Sequence, residues 1–257
     1  MSTMKNLQIP SDASRLPVTL PALAEKKRLG EPVVMVTAYD YPSARAVRRG
    51  LRTPFMVGDL PFGSYEVSDE QAVQTAFRFV KEAGCDAVKL EGGGPVSVAR
   101  ARAIVQAGIP VMGHVGLTPQ TSTALGGYKA QGRSAHGAMK VATEALALQD
   151  AGCFSIVFEA IPSALSAELM PHVHIPVIGI GAGPATDGQV LVFHDLLGIR
   201  EGLGARFVKR YASLQEEMDA GVAAYAAEVR SRAYPGPEHG YSIDEAELET
   251  FREAFAR

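Results

Sequence analysis

Residues 83–94 read Ala-Gly-Cys-Asp-Ala-Val-Lys-Leu-Glu-Gly-Gly-Gly, and this stretch carries the argument for the fold class. Glu70–Ala83 ahead of it has helical period and good helix formers, and Gly84 stands where a glycine closes a helix C-terminus. Ala87–Leu90 is then an apolar run of strand length, and Lys89 and Glu91 with the following glycines give it a polar end and a turn. The same Ala-Gly pair recurs at Ala107-Gly108 after Val96–Gln106 and at Ala151-Gly152 after Ala135–Ala151, each time before another apolar run. Helix, glycine and buried strand repeat along the chain, which is the signature of βα units and a parallel sheet.

Working outward, Val33–Thr37, Phe55–Gly58, Pro110–Gly113, Phe154–Phe158, Pro176–Ile180 and Val190–Phe193 complete the set of apolar runs. They are continuous instead of alternating, which suits strands buried on both faces. The chain has 257 residues, and βα barrels commonly form one unit of about 250 residues. A single barrel domain over 1–257 is therefore expected, with an N-terminal arm and helix in 1–30 and a helical extension in 238–257. Leu20–Leu29 and Gln215–Arg232 read as helices flanking the repeat. Ser242 and Glu245 form an S-x-x-E pattern ahead of Leu248, Phe251 and Phe255, predicting a capping box and a final amphipathic helix that packs on a neighbouring subunit.

The hydrophobic fraction of 47% with 21% charged residues leaves ample material for a large core. A net charge of -3 without a Lys/Arg run argues against nucleic-acid or anionic-membrane surfaces, which need clustered cations. No apolar run approaches the roughly 18 residues of a membrane span, and Met1–Pro10 has no hydrophobic stretch of signal type, so a cytoplasmic protein is expected. Cys85 and Cys153 lack CxxC partners and read as small core residues with reduced thiols.

In βα folds the C-terminal strand ends and the loops after them form the reactive face. Four strand ends here carry polar groups: Asp59 in Val57–Phe62, Lys89 and Glu91 in Lys89–Gly93, His114 in Gly113–Gln120, and Glu159 in Phe158–Pro162. Period two places Lys89 and Glu91 on one face with Leu90 on the other. If the sheet closes into a barrel, Asp59, Lys89, Glu91, His114 and Glu159 converge on its mouth. Carboxylates of Asp59 and Glu91 suit Mg²⁺, a hard cation taking one or two carboxylates plus water and substrate, and such a metal polarises a carbonyl. Lys89 then neutralises a substrate carboxylate, with Glu159 as the proton acceptor. Each acid also has a plain alternative as a helix cap or an arginine's partner, and His114 as a hydrogen-bonded structural histidine.

Two further segments carry weaker signals. Gly179-Ile180-Gly181-Ala182-Gly183 lacks the context of a dinucleotide loop, because Pro184 follows where a helix should open; a tight turn near ligand fits better. Gly126–Arg133 is too glycine-rich for an element interior and reads as a flexible loop over the site, with Lys129 and Arg133 available to anions.

Taken together, Thr37-Ala38-Tyr39-Asp40-Tyr41, Asp59-Leu60-Pro61-Phe62, Lys89–Gly93, Gly113–Gln120, Gly126–Arg133, Pro176–Gly183 and Asp187-Gly188-Gln189 resemble ketopantoate hydroxymethyltransferase over nearly all of Leu20 to His239. The resemblance implies a TIM-type (βα)₈ barrel of the phosphoenolpyruvate mutase and isocitrate lyase kind. It implies hydroxymethyl transfer from 5,10-methylenetetrahydrofolate to 3-methyl-2-oxobutanoate, giving 2-dehydropantoate, by a homo-oligomer (a decamer in the family). By the same resemblance Asp59 binds Mg²⁺ and substrate, Glu91 is a metal-site carboxylate, Lys89 and His114 bind substrate and Glu159 accepts the proton.

One departure stands out. The family's second βα unit, ending in Gly-Asp-Ser with a metal-binding aspartate and a substrate-binding serine, is missing between Tyr41 and the Asp59 strand. Seven recognisable strands remain, so the barrel must reclose or leave an unpaired gap. Two other readings follow: a catalytically impaired or non-catalytic oligomer-forming relative, and a Mg²⁺-dependent lyase or mutase acting on another 2-oxo acid.

Overall fold

The computed structural model describes residues 17–51, 54–200, 202 and 204–256. Seven strands form one parallel sheet: β1 (Val33–Thr37), β2 (Val57–Asp59), β3 (Ala87–Lys89), β4 (Val111–Gly116), β5 (Ser155–Glu159), β6 (Val177–Ile180) and β7 (Gly188–Val192). The helices are α1 (Leu20–Leu29), α2 (Tyr41–Leu51), α3 (Asp69–Ala83), α4 (Pro95–Gln106), α5 (Ala135–Asp150), α6 (Ser163–Leu169), α7 (Phe193–Leu197), α8 (Leu214–Ser231) and α9 (Glu245–Phe255).

The strand order is β1-β7-β6-β5-β4-β3-β2. Strands β2 to β7 lie side by side in chain order and β1 comes round to pair with β7, as in a TIM-type barrel. Val33–Thr37 pairs in parallel with Gly188–Val192, an approach that a side chain at Gly188 would block, since a Cβ there would stand 2.3 Å from the Val33 carbonyl oxygen. Among the described residues, β1 and β2 do not pair with each other. Of the two outcomes expected for seven strands, reclosure or an unpaired gap, the described residues show the gap, at the place where the resemblance implies a further strand. Only α2 links the two edges. Its start is fixed by Asp40, whose carboxylate accepts the Ser43 N–H at 2.8 Å and the Ser43 hydroxyl.

Burial follows the pairing. Strand β6 is buried at every residue, and β4 and β5 at all but their last. Phe158, Ile156, Val111, Val115 and Val177 pack with Leu90, Leu148 and Ile104 in the main core between sheet and helices, each such side chain contributing on the order of 1.5–3 kcal/mol. The barrel interior is filled by Met112, Val157, Ile178, Ile180 and Val190. In β1, by contrast, Val34 is 64% exposed.

The expected glycine stops are present. Gly84 closes α3 with φ 68°, its N–H bonded to Phe79 O, and Gly108 and Gly152 also have positive φ after α4 and α5. Leu20–Leu29 and Val33–Thr37 coincide with their predicted bounds, while β4 extends to Gly116 because His114, Val115 and Gly116 continue the ladder with β5. One expectation is corrected: α9 is capped by Asp244, whose side chain accepts the Ala246 N–H at 2.9 Å, and not by a Ser242–Glu245 box. Cys153 is buried, Cys85 is half-buried, and both are free thiols. No helix among the described residues is long and apolar enough to cross a membrane.

Candidate active site

Parallel pairing brings the polar strand ends together in the order β2, β3, β4, β5. Asp59 lies opposite Lys89 in register, and Gly116 lies opposite Glu159. The ladder continues beyond the strands: Leu60 N–H donates to Lys89 O, Gly92 N–H to His114 O, and Ala160 N–H to Ile180 O. Lys89, His114 and Glu159 thus project from backbone held on both sides, and Asp59 from the edge strand β2, held on one. Next to Glu159, Ala160 has φ 49°, a left-handed conformation that costs free energy without glycine. Its carbonyl accepts the Gln131 N–H at 2.9 Å, which ties the Gly126–Arg133 loop to the end of β5. Gly116 must also be glycine, because a Cβ there would meet Glu159 O at 2.2 Å.

Lys89 Nζ stands 2.8 Å from Asp59 Oδ1, with side-chain exposures of 11% and 47%. His114 is buried between two carboxylates, its Nε2 3.2 Å from Glu159 Oε2 and its Nδ1 4.0 Å from Glu91 Oε1. Neither ring nitrogen has a hydrogen bond of good direction, so the 3.2 Å approach to Glu159 is a close contact that is not aligned as a bond. Glu91 is 7% exposed. Burial raises its pKa against the pull of His114, Lys89 and the Gln120 N–H, and the Asp59 charge raises it further. Asp59 and Glu91 therefore act on the same small region, together with the lysine and the histidine.

Among the described residues, no three His, Cys, Asp or Glu side chains come together as a metal cluster. Two carboxylates are on hand, one already paired with Lys89, so these residues fit a hard cation only where substrate oxygens and water complete its shell.

Three contributors were not legible in the sequence. Tyr65, 3% exposed, accepts the Glu91 N–H at 3.2 Å through its hydroxyl and donates to Gln120 Oε1 at 3.4 Å. Burial pushes its pKa up to about 12. Gln120 donates its backbone N–H to Glu91 Oε2 at 3.0 Å and its side-chain amide to Leu60 O at 2.9 Å, so it anchors the acid to the β2 end. Tyr39, just past β1, has its pKa raised by burial and then by the charges of Asp195, Asp59 and Glu159; its ring lies 5.6 Å from that of His194. Tyr65 and Gln120 act from turns, where no periodicity marks a role.

The sequence model of ketopantoate hydroxymethyltransferase matches residues 43–237. This chain belongs to the ketopantoate hydroxymethyltransferase family. It is 44% identical to 3-methyl-2-oxobutanoate hydroxymethyltransferase 1, mitochondrial, of Arabidopsis thaliana, over 91% of this chain and 80% of that protein. It is 50% identical to 3-methyl-2-oxobutanoate hydroxymethyltransferase of Nitratidesulfovibrio vulgaris (strain DP4), over 82% of this chain and 68% of that protein. The Arabidopsis match extends over 279 residues, more than the 257 of the whole chain, so that relative of the family carries internal residues that this chain lacks. The Nitratidesulfovibrio match takes in 82% of 257 residues over a length of 210, so it runs with essentially no net insertion. A solved structure from Burkholderia cenocepacia J2315, described as a "putative phosphonomutase", superposes with a TM-score of 0.50 at 15% identity, covering 82% of this chain and 98% of that one. That likeness establishes the seven-stranded TIM-type fold.

Proposed function

We propose that this chain transfers a hydroxymethyl group from 5,10-methylenetetrahydrofolate to 3-methyl-2-oxobutanoate, giving 2-dehydropantoate for pantothenate biosynthesis. The observation that carries this reading is the run of charged and polar groups Lys89, Glu91, His114 and Glu159 on the adjacent strand ends β3, β4 and β5, with Glu91 and His114 buried, in a chain of this family. Lys89 holds the substrate carboxylate, oriented by Asp59 at 2.8 Å. Glu159 takes the C3 proton, and His114 at 3.2 Å from it donates toward the developing enolate oxygen. The C3 carbanion then forms a bond to the one-carbon unit, the carbon–nitrogen bonds to the folate are given up, and water supplies the hydroxyl. Asp59 and Glu91 are the residues that would hold Mg²⁺, which when bound polarises the 2-oxo group.

Two measurements test the reading. Deuterium uptake at C3 of 3-methyl-2-oxobutanoate in D₂O, followed by NMR, reports proton removal without folate. Product formation with methylenetetrahydrofolate and Mg²⁺ reports the full transfer. The expected result is both activities in the native protein and neither in Glu159→Gln; no exchange above that variant in the native protein rejects the reading.

A second reading, a non-catalytic relative, is favoured by the unpaired edge between β1 and β2 and by the Lys89–Asp59 pair. Calorimetry separates the two: Mg²⁺-dependent binding of the oxo acid that disappears in Glu91→Ala supports catalysis. We also infer a homo-oligomer, supported by the apolar stripe Met218, Val222, Tyr225 and Val229 on α8, a helix with no buried residue in the isolated chain; light scattering that returns a monomer removes it.

A further inference from the structure

Between Glu91 and Glu144 the sequence contains no Asp or Glu, although the chain as a whole has 28 of them and a net charge of -3. Two cations of that stretch, Arg100 and Arg102, lie on α4. Lys129, Arg133, His136 and Lys140 all fall on the loop 126–134 and the first turns of α5, and all four are exposed. Of these, Lys140 reaches an acid only at 3.8 Å, to Glu144. No ion pair among the described residues involves Lys129, Arg133 or His136.

This segment begins at the reaction mouth and leads away from it. Gln131 is bonded to Ala160 O beside Glu159, and Tyr128, 75% exposed, lies close enough to Tyr39 for their charges to interact. At its far end, α5 and the β3–α4 turn enclose a groove of about 450 Å³ lined by Gly93, Gly94, Pro95, Met139, Lys140 and Glu144, with His136 at its edge. The groove exists because Gly93 has no side chain: a Cβ there would stand 2.4 Å from Glu144 Cβ and 2.8 Å from its carbonyl oxygen, so the turn lies flat on α5. Gly93 is two residues past Glu91, at most about 7 Å along the chain. The groove thus begins within two residues of Glu91, with a flat wall, an exposed thioether and a cationic rim. Its single acid, Glu144, has its pKa raised by burial.

We propose that this groove, with the loop that leads into it, binds the p-aminobenzoyl-glutamate arm of the folate co-substrate. This rests on the folate-dependent reading above and adds where the co-substrate lies. The arm is a flat aromatic amide ending in a dicarboxylate. The ring packs against the Gly93-Gly94-Pro95 wall and Met139, the glutamate carboxylates meet Lys140 and His136, and the one-carbon end stays at the mouth under Tyr128. Longer glutamate tails continue along the exposed cations.

The test uses three ligands and two proteins. Affinities of tetrahydrofolate, its triglutamate form and tetrahydropteroate, which lacks the glutamate, are measured by calorimetry for the native chain and for Lys140→Met/His136→Gln. Both positions are exposed, so the fold is retained, and a thermal melt checks it. The expected result is a roughly tenfold loss for tetrahydrofolate, about the strength of one charge-assisted contact, a larger loss for the triglutamate, and no change for tetrahydropteroate or for 3-methyl-2-oxobutanoate. Equal affinity of the native chain for tetrahydrofolate and tetrahydropteroate, or an equal loss of both in the variant, overturns the subsite while leaving the function intact. Failure of C3 deuterium exchange sinks the function itself. A native chain that binds no folate overturns both.

Discussion

Strands β4 and β5 are paired on both sides and buried almost throughout, whereas β1 and β2 each pair on one side only and face each other across a gap. β1 and β4 both draw on Val and Met, so composition does not separate those two strands. What separates them is the neighbour. A strand between two partners satisfies its backbone groups and covers both faces; a strand with one partner leaves a row of N–H and C=O groups open and its side chains half-wet. The comparison extends to the site. His114, which is buried, and Glu159, with 12% of its side chain exposed, come from the closed half, while Asp59 ends the open-edge strand β2 with nearly half its side chain exposed. His114 and Glu159 thus sit on strands paired on both sides, while Asp59, ion-paired with Lys89, sits next to the gap.

The comparison can be broken at several points. The largest effect is expected on the closed side, where Glu159→Gln lowers C3 exchange by a factor of roughly 10²–10⁴; a loss below tenfold, measured by NMR, would move the chemistry elsewhere. For stability, Phe158→Ala in β5 should cost about 3–5 kcal/mol, while Val34→Ala in β1 should cost less than about 0.5 kcal/mol, as exposed positions do. Urea unfolding of the two variants measures this, and equal losses would mean that the edge is covered in solution.

The pH dependence of Glu91 gives a smaller effect. Its folded pKa is raised by burial, so the folded chain binds this proton more tightly than the unfolded one. Stability from this group is present at and below the ordinary carboxylate range and is lost as pH rises through the elevated folded value. Glu91→Gln should flatten that decline, read as the difference between melting curves of the two proteins across pH; parallel curves would remove the assignment. The smallest signal is local. Backbone amides of β1 and β2 on the gap side should exchange with deuterium faster than those of β4 and β5, and uniform protection would show the seam to be paired.

The strands, their parallel order and the polar ends were legible because burial on both faces writes itself as short unbroken apolar runs, and because glycine at a helix stop is a local requirement. Leu20–Leu29 and Val33–Thr37 have the bounds that the sequence predicts. The cap of α9 was misread because both Ser242 and Asp244 can accept a backbone N–H, and only the path of the chain selects Asp244. The site residues Asp59, Lys89, Glu91, His114 and Glu159 were each visible as a polar group at the end of an apolar run.

The resemblance to the family's order of motifs also implied that a unit is absent between Tyr41 and the Asp59 strand, since that is a statement about chain order. It did not determine whether the sheet would reclose, because strand pairing is non-local: β1 chooses between β7 and β2 through contacts that lie far apart in the chain. Tertiary structure settled that choice for β7, and it likewise settled the Lys89–Asp59 pair, the place of His114 between two acids, and the support of Glu91 by Tyr65 and Gln120. Those are contacts between residues 23 to 155 positions apart, and groups so far apart in sequence meet only when the whole sheet has curled.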